Sequence, residues 1–389
     1  MSSAFDLITS DSWKIFPFVP SLVFRSEHCY HTMDYQLYFQ DVVKEKSFTE
    51  INEIEKDRRS ILKKVEWPFW RILTTWHGTC LRSLVTDWLV WVTMLIFVGV
   101  RLQARSGVAE PGMVEQLGDT DIKVIGGFLS FFLVLFVNQT NARFFEMYKL
   151  SKKCAGQIQD VAGLVASSLP RDDALRLVRF MNAAHIAGYV GLSEVYTKGN
   201  LFDKFNGDYK LMSEKEYSRL KQFNLDAGSG ALKELCTWCL SEVTKAHKAH
   251  HIDSIEAHQL HHHVLEFRAA MDGIYDHCDQ PSHYFYIHFL CLLSALYLPI
   301  FALDNAYSCG WGDNVDLQIE ALSGLIVFLQ AIFVVGLRVL GQKMIDPYGD
   351  DVEDLSVITY ISTTIENCQI IMSAQTPEAS EIPSGQTVA

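Results

Sequence analysis

The chain has 389 residues, of which 49% are apolar and 20% charged, and its formal net charge is −13. So large an apolar fraction excludes intrinsic disorder over most of the chain, because these side chains must be buried in a core or in lipid. The acidic balance argues against a nucleic-acid-binding protein, which would neutralise phosphates with basic side chains.

The first residues of the chain do not read as a cleavable signal peptide. They include Asp6 and Asp11, and no basic stretch precedes an apolar run. We therefore expect the first apolar segment that is long enough to cross a membrane, 83–100, to direct insertion of the chain into the bilayer. An aromatic stretch at 13–20 has no role that the sequence assigns.

Four segments are long and apolar enough to cross a bilayer, which requires about 20 residues in a helix. The first carries one charge, Asp87, and the second carries none. Four such segments in one chain are typical of a membrane protein, whereas the alternative is four buried helices of a soluble one. The segments are 83–100, 124–142, 284–303 and 317–337.

The second segment differs from a plain anchor because it begins with a glycine pair and ends with the polar residues 138–141. Gly127, Phe131 and Leu135 are spaced by four, so they share one face of a helix. If several copies surround an axis, this face forms a narrow apolar ring of the kind that gates by dewetting. The alternative is packing of the Phe side chains against lipid or neighbouring helices.

The long polar segment between the second and third spans is predicted to be helical. Apolar residues recur with a period close to 3.6 over 172–195, 232–243 and 253–275. Glycine-containing sequences at 206–208 and 226–230 indicate breaks between helices.

Histidines are concentrated near the middle of this segment, where 247–251 and 258–262 both fit the spacing H-x-x-H-H. The spacing is similar to the histidine boxes of membrane di-iron desaturases and hydroxylases, and imidazole is a good iron ligand. Both boxes fall on one predicted helix, however, and the spans carry no further box. A histidine-lined aqueous face that titrates near neutral pH, or a merely solvated helix face, are the other interpretations.

An acidic sequence, D-P-Y-G-D-D-V-E-D at 346–354, follows the fourth span. Calcium takes six to eight oxygen ligands, which clustered carboxylates and loop carbonyls supply. Pro347 and Gly349 should keep the backbone off a helical path. The alternative is that these acids begin a helix over 355–373, where its dipole favours negative charge. The polar tail 376–389 is expected to be disordered.

The distribution of basic residues predicts the membrane topology. Lys and Arg flank the first span on its N-terminal side and follow the second and fourth spans, whereas 304–316 carries acids and no basic residue. The positive-inside rule therefore places both termini and the segment 143–282 on the cytosolic side. Arg101, Arg105 and Lys123 in the first outer loop are exceptions.

The chain resembles the bestrophins, a family of pentameric anion channels. The resemblance runs from about residue 64 to 369, and its most specific motif is the acidic one, which is similar to the family's N-P-F-G-E-D-D-D-D. Four places match. W-H-G-T at 76–79 is similar to the family's W-R-G-S, and 129–131 with R-F-F at 143–145 and Tyr148 is similar to its second helix, which ends in R-W-W and a Tyr. Arg268 with Tyr275 and Pro281 resembles the entry to its third helix, and 346–354 is the acidic motif.

The resemblance implies an all-α, multi-pass homopentamer with four membrane-associated helical segments, a helical cytosolic domain and one central pore. It assigns the pore neck to Gly127, Phe131 and Leu135, although the family usually has bulky apolar residues at all three positions. It assigns a cytosolic aperture to Ile255, inside the predicted histidine-rich helix. The histidines that would then line the cavity and sense pH are His247, His251, His258 and His262.

The resemblance also implies a calcium site in the acidic loop. Side chains of Asp351 and Asp354 would bind the ion together with backbone oxygens of Asp346 and Leu62. A further ligand position falls on Lys343, which cannot ligate calcium because its ammonium has no acceptor. Val352 also replaces an acid, so the loop departs from the family pattern.

These observations predict a passive, ligand-gated anion channel rather than an enzyme. It would conduct chloride and bicarbonate across a lipid bilayer, with calcium as regulator and pH as a second influence. The alternatives are a histidine-box di-iron oxygenase or hydroxylase, and a non-conducting membrane scaffold. The predicted regions are a cytosolic N-terminal segment (1–75), two membrane segments with the neck (76–142), a cytosolic helical domain (143–282), two further membrane segments (283–340), the acidic loop with its following helix (341–375) and the tail (376–389).

Overall fold

The computed structural model describes residues 47–64, 67–76, 79–106, 122–280, 284–311 and 316–374. Within these ranges the regular structure is helical and no strand occurs, which confirms the all-α prediction. The aromatic stretch 13–20 and the tail 376–389 lie outside them. The α-helices are α1 (Phe48–Lys64), α2 (Phe69–Leu73), α3 (Cys80–Thr86), α4 (Trp88–Arg105), α5 (Ile122–Ser168), α6 (Arg171–Tyr189), α7 (Lys204–Tyr209), α8 (Glu214–Leu220), α9 (Ser229–Lys248), α10 (Ser254–Asp279), α11 (Tyr284–Ser308), α12 (Leu317–Lys343) and α13 (Val357–Ser373).

Four of these helices, α4, α5, α11 and α12, are long and apolar enough to span a membrane, as the sequence predicts. They pack into one apolar core. Its side chains include Leu129 and Leu133 of α5, Leu298 of α11 and Val334 of α12, all of them buried.

The predicted start of the first span, 83–100, is wrong, because the chain forms two helices there rather than one. Asp87 has an extended backbone conformation between α3 and α4. Its carboxylate accepts a hydrogen bond from the Leu89 amide at 2.9 Å and pairs with Arg338 of α12. The aspartate therefore caps α4 and neutralises a partly buried guanidinium, which explains a charge in an apolar segment.

At the other end of α4, a buried ion pair joins three membrane helices. The Arg101 guanidinium donates to the Glu320 carboxylate of α12 at 2.8 Å and to the Ala306 carbonyl of α11 at 2.8 Å. Arg105, which is about half exposed, also pairs with Glu320. The two arginines that are exceptions to the charge rule thus share a partner inside the protomer.

Helix α5 does not end with its predicted membrane segment but continues to Ser168. The polar residues near 140 stay helical, and the buried Thr140 hydroxyl donates to the Phe136 carbonyl at 3.0 Å. From Met147 onward the same helix enters a second apolar core, built mainly with α6, α9, α10 and α13. Helix α5 is therefore one continuous element shared by the two apolar cores.

The predicted break at 206–208 is wrong, because these residues belong to the short helix α7. An ion pair between Lys204 and Asp208 at 2.9 Å bridges one turn of it. At the other predicted break, Gly228 has a φ of +73° and precedes α9. A Cβ there would collide with the Ala187 and Val190 carbonyls, so glycine permits this close approach of two chain segments.

Candidate functional site

The face of α5 that carries Gly127, Phe131 and Leu135 is not covered by the rest of the chain. Phe131 is 59% exposed and Leu135 is 37% exposed. The opposite face, with Leu129 and Leu133, is buried in the membrane core. The three residues predicted from their spacing therefore lie together on an uncovered apolar face, which we call the neck face.

The glycine pair at the start of α5 has two different environments. A Cβ on Gly126 would collide with the Tyr297 hydroxyl of α11, whereas a Cβ on Gly127 would meet nothing within 4 Å. Gly126 thus allows two membrane helices to approach closely, and Gly127 leaves open space on the neck face.

The Phe131 ring is supported from within the protomer. It makes an edge-to-face contact with Phe132 at 5.8 Å between ring centroids, and Phe132 makes a similar contact with Phe289 of α11 at 6.2 Å. Aromatic pairs of this geometry hold rings in place. Phe132 therefore orients the neighbouring ring without lying on the neck face itself.

Ile255, the predicted cytosolic aperture, is the second residue of α10 and is 67% exposed. Asp253 caps this helix, since its carboxylate accepts a hydrogen bond from the Glu256 amide at 2.7 Å. The position of Ile255 is thus fixed by a capped first turn, and its side chain points away from the protomer core.

The prediction that the histidines share one helix is wrong. Helix α9 ends at Lys248 and α10 begins at Ser254, with His250 at a φ of +59° in the turn between them. The left-handed His250 backbone and the Asp253 cap end one helix and begin the next. His247 lies in the last turn of α9 and His251 in the turn.

Several of the histidines have partners within the protomer. The His261 ring lies 3.3 Å from the Thr244 hydroxyl, and His263 lies 2.8 Å from the Gln157 side chain. Among the described residues no group of three His, Cys, Asp or Glu is arranged to hold a metal ion. The box histidines His250, His251, His261 and His262 do not form a di-iron site in this arrangement.

The four histidines predicted to sense pH are all exposed. His258 and His262 lie three and seven residues after Ile255 in α10, so all three share a helix face. His247 Nδ1 lies 3.3 Å from the Ile252 carbonyl, and His251 Nδ1 lies 3.6 Å from the Asp173 carboxylate. If Ile255 faces a cavity, His258 and His262 face it too.

The acidic sequence forms a compact loop between α12 and α13, which we call the acidic loop (346–354). The Leu355 amide donates to the Pro347 carbonyl at 2.7 Å, and the Asp351 amide donates to the Asp354 carboxylate at 2.7 Å. Helix α13 begins only at Val357. Most of the acids therefore belong to the loop and not to the helix start that the alternative interpretation required.

The acidic loop is anchored to α5 by Tyr348, which is 1% exposed. Its hydroxyl lies 2.7 Å from the Ser151 hydroxyl and donates to the Met147 carbonyl at 3.3 Å. The Tyr348 carbonyl accepts a hydrogen bond from Ser193 at 2.8 Å. The loop is thus attached to the same helix that carries the neck face.

Asp354 is the buried carboxylate of the acidic loop. It is 7% exposed, and its Oδ1 atom is buried without a hydrogen-bond partner. Burial, reinforced by the charges of Asp351 and Asp346, raises the pKa of Asp354 to about 8. A Cβ on Gly349 would lie 2.9 Å from one Asp354 oxygen and 3.1 Å from an Asp346 oxygen, so both carboxylates reach the same place.

The chemistry of this donor set fits a hard cation, although the carboxylates would have to close further around it. Oxygen atoms of Asp346, Asp351 and Asp354 are the ligands that calcium prefers. Leu62, the predicted backbone donor, lies in the last turn of α1, where helix carbonyls lack intrahelical partners. Lys343 forms an ion pair with Glu353 at 3.0 Å and does not replace a ligand.

Sequence reasoning missed Arg58 of α1, whose side chain is 4% exposed and lies against the acidic loop. Its guanidinium donates to the carbonyls of Gly349 and Asp351 at 3.0 and 2.9 Å. Glu55 pairs with it at 3.1 Å. In the sequence, Arg58 is only one of several basic residues that flank the first span. No local pattern indicates that its partners lie almost three hundred residues further along the chain.

Known proteins with a similar sequence support one family. A family model described as "Bestrophin, RFP-TM, chloride channel" matches residues 58–374. Bestrophin homolog 17 of Caenorhabditis elegans is 23% identical over 316 residues, which cover 78% of this chain and 64% of that protein. Bestrophin homolog 14 of the same organism is 23% identical over 305 residues, which cover 74% and 71%. The chain thus spans about two-thirds of the length of these curated relatives.

A crystal structure of a bacterial bestrophin homolog from Klebsiella pneumoniae has a similar fold. The TM-score is 0.61 at 14% sequence identity, and the match covers 74% of this chain and 99% of that one. At this identity the likeness concerns the arrangement of the helices.

Proposed function

The chain belongs to the bestrophin family, as its motifs predict, and we propose that it forms a pentameric channel for chloride and bicarbonate. The observation that carries the proposal is the neck face, an apolar surface with Phe131 at its centre that the protomer leaves uncovered. The description of the family as a chloride channel supports the choice of ion. Both termini would lie on the cytosolic side, as the distribution of basic residues favours.

Conduction through such a neck requires no catalysis. Five copies of Phe131 and Leu135 would surround an axis and form a constriction that excludes water in its closed state. The positive edges of the Phe131 rings would favour a partly dehydrated monovalent anion. A strongly hydrated multivalent anion would be excluded, because the apolar side chains cannot replace its water.

We propose that calcium regulates the channel at the acidic loop. Asp351, Asp354 and Asp346 would hold the ion, with the Leu62 carbonyl as a further donor. Calcium would supply the positive charge that this group of carboxylates lacks. Tyr348 connects the loop to α5, so a loop conformation preferred with the ion bound would bias the position of the neck face.

Planar-bilayer recording of the purified protein under a chloride gradient tests the channel. We expect a current that reverses near the chloride equilibrium potential, and a leak or altered gating in Phe131→Ala. Phe328→Ala is the matched control, because it removes a ring of the same size from the exposed surface of α12, away from the neck face. Absence of current from the folded wild type would support the scaffold alternative, and an unchanged Phe131→Ala current would remove Phe131 from the pore.

Calcium titration of the same currents tests the regulatory site. We expect the double variant Asp351→Ala/Asp354→Ala to lose calcium dependence while it still conducts. Glu353→Ala is the control, since Glu353 belongs to the same loop but pairs with Lys343. A wild-type current that is identical in calcium and in chelator would refute the site.

We further propose that the exposed histidines make anion conduction depend on pH, with a larger current at acidic pH. Positive imidazolium groups on the wall of a cavity would raise the local anion concentration. Replacement of His247, His251, His258 and His262 by Gln should flatten the pH dependence of the current. His263→Gln is the control, because that ring bonds to Gln157 within the protomer. A pH dependence that survives the quadruple variant would contradict the assignment.

A further inference from the structure

We propose that Arg58 is a tethered cation of the acidic loop, which satisfies part of the loop's need for positive charge and competes with calcium. The inference rests on the proposed calcium site and adds a residue that the sequence reasoning had not assigned to it. It predicts that the loop folds without calcium in the wild type and becomes calcium-dependent when Arg58 is removed.

The guanidinium of Arg58 uses its donors on several loop oxygens at once. Nε and Nη2 donate to the Asp351 carbonyl at 3.1 and 2.9 Å, and Nη2 also donates to the Gly349 carbonyl at 3.0 Å. Nη1 donates to the Leu355 carbonyl at 3.2 Å. Backbone carbonyls of such a loop are the oxygens that would otherwise turn toward a hard cation.

The charge of Arg58 is held firmly in this position. The side chain is 4% exposed, and Glu55, which is completely buried, accepts a hydrogen bond from Nη1 at 3.1 Å. Glu55 is in turn bonded by the Ser356 hydroxyl at the start of α13. Since arginine stays protonated in proteins, the loop has a permanent positive charge beside it.

This charge reaches Asp354 but does not complete its surroundings. The Arg58 Nη2 atom lies 3.9 Å from one Asp354 oxygen, while the other oxygen, Oδ1, is buried without a partner. The loop therefore has one cation, the Arg58 guanidinium, bound to its carbonyls. Its carboxylates still carry negative charge that a second cation could neutralise. A calcium ion at Asp354 would be repelled by the nearby guanidinium, so its affinity should be lower than carboxylates alone would give.

Three variants separate this role from a merely structural one. Arg58→Gln removes the charge, and Arg58→Lys keeps the charge but loses the fork of donors. Arg59→Gln is the matched control. Arg59 is the next residue in the chain, its side chain is exposed, and its described hydrogen bond goes to the Thr359 hydroxyl. Full-length protein in detergent is used throughout, with calcium alone as the probe and a chelator as the reference.

The readouts are equilibrium binding of radioactive calcium and the thermal unfolding midpoint. We expect calcium to raise the wild-type midpoint only slightly above its value in chelator, and the Arg58→Gln midpoint to fall in chelator and recover in calcium. Calcium affinity of Arg58→Gln should rise about tenfold or more over the wild type, since one repelling charge at short range has gone. Arg58→Lys should bind calcium as weakly as the wild type.

Other outcomes overturn the inference. They are an Arg58→Gln affinity equal to or lower than that of the wild type, a wild type that unfolds in chelator as readily as Arg58→Gln, or an Arg58→Gln protein that calcium at millimolar concentration does not restore. If neither protein binds calcium, the calcium site and this inference both fail. The bilayer current decides the proposed channel separately, because it is measured whether or not calcium binds.

Discussion

The His185 ring is buried completely in the second apolar core, and neither of its nitrogens has a hydrogen-bond partner. It contacts the rings of Tyr189 and Phe267 edge to face, at 5.3 and 6.2 Å between centroids. Burial lowers the pKa of His185 from 6.5 to about 3 in the folded state. The folded protein thus holds this imidazole neutral, and protonation must favour unfolding.

We predict that His185 makes the second apolar core, and with it the fold, sensitive to acid. Between pH 6.5 and about 3 the unfolded chain binds a proton that the folded chain does not, so the free energy of unfolding falls as the pH falls through this window. The complete loss is on the order of 5 kcal/mol. His185→Phe should flatten the pH dependence of the thermal midpoint, measured in detergent from pH 7 to 4. His261→Gln serves as control, and parallel curves for wild type and His185→Phe would refute the prediction.

At the scale of single residues, the sequence predicts local relationships and misses distant ones. Gly127, Phe131 and Leu135 could be grouped because a helix repeats every 3.6 residues, and their common exposure follows from that period. Arg58 could not be assigned to the acidic loop, because its contacts with Gly349 and Asp351 depend on how α1 docks. The orphaned Asp354 oxygen is likewise visible only once the loop is folded.

Among the membrane helices, the ion pair between Arg101 and Glu320 connects α4 to α12. Arg101 is 5% exposed and Glu320 is 8% exposed. The guanidinium also donates to the Gly310 carbonyl at 2.6 Å, at the end of α11. One buried charge pair thus fixes the ends of three helices relative to each other.

Breaking this pair should cost more than breaking an exposed one. We predict that Glu320→Gln lowers the free energy of unfolding by about 3 kcal/mol, because it leaves the buried Arg101 charge without its partner. Arg105→Gln is the matched control, since Arg105 is 48% exposed and an exposed ion pair contributes about 1 kcal/mol or less. Thermal unfolding in detergent distinguishes the two. Equal midpoints for both variants would show that burial of Arg101 does not determine the cost.

At the scale of helices, the sequence predicts that a helix exists more accurately than it predicts where the helix begins and ends. Apolar length identified the four membrane helices, but not the interruption at Asp87, because an aspartate that caps α4 and pairs with Arg338 looks like a single tolerated charge. The period of 3.6 placed His247 and His258 on one helix, since it does not detect the left-handed backbone of His250. The continuation of α5 beyond its polar residues depends on packing against the helices of the second apolar core.

The protomer as a whole leaves two kinds of apolar surface uncovered. Helices α4 and α12 expose large side chains such as Leu95 and Leu329, which suit contact with lipid. The neck face of α5 differs, because it contains Gly127 and continues into the exposed polar residues Asn138 and Gln139. Polar side chains are costly in contact with hydrocarbon and favourable beside water. A face of this composition favours an aqueous axis surrounded by several copies of the chain.

We predict that the solubilised protein is a pentamer whose neck faces meet. Native mass spectrometry should give about five times the 44.2 kDa mass of the chain. Cysteines at Leu135 should form disulfides between protomers under mild oxidation, because neighbouring copies in a narrow ring come within the roughly 7 Å that a disulfide allows between Cα atoms.

Leu133→Cys is the control, since Leu133 is buried within the protomer two residues away. The wild-type chain, with nine cysteines of its own, sets the background for cross-linking. A monomeric mass, or cross-linking of Leu133→Cys and not Leu135→Cys, would mean that the neck face does not surround an axis and that the ion path must lie elsewhere.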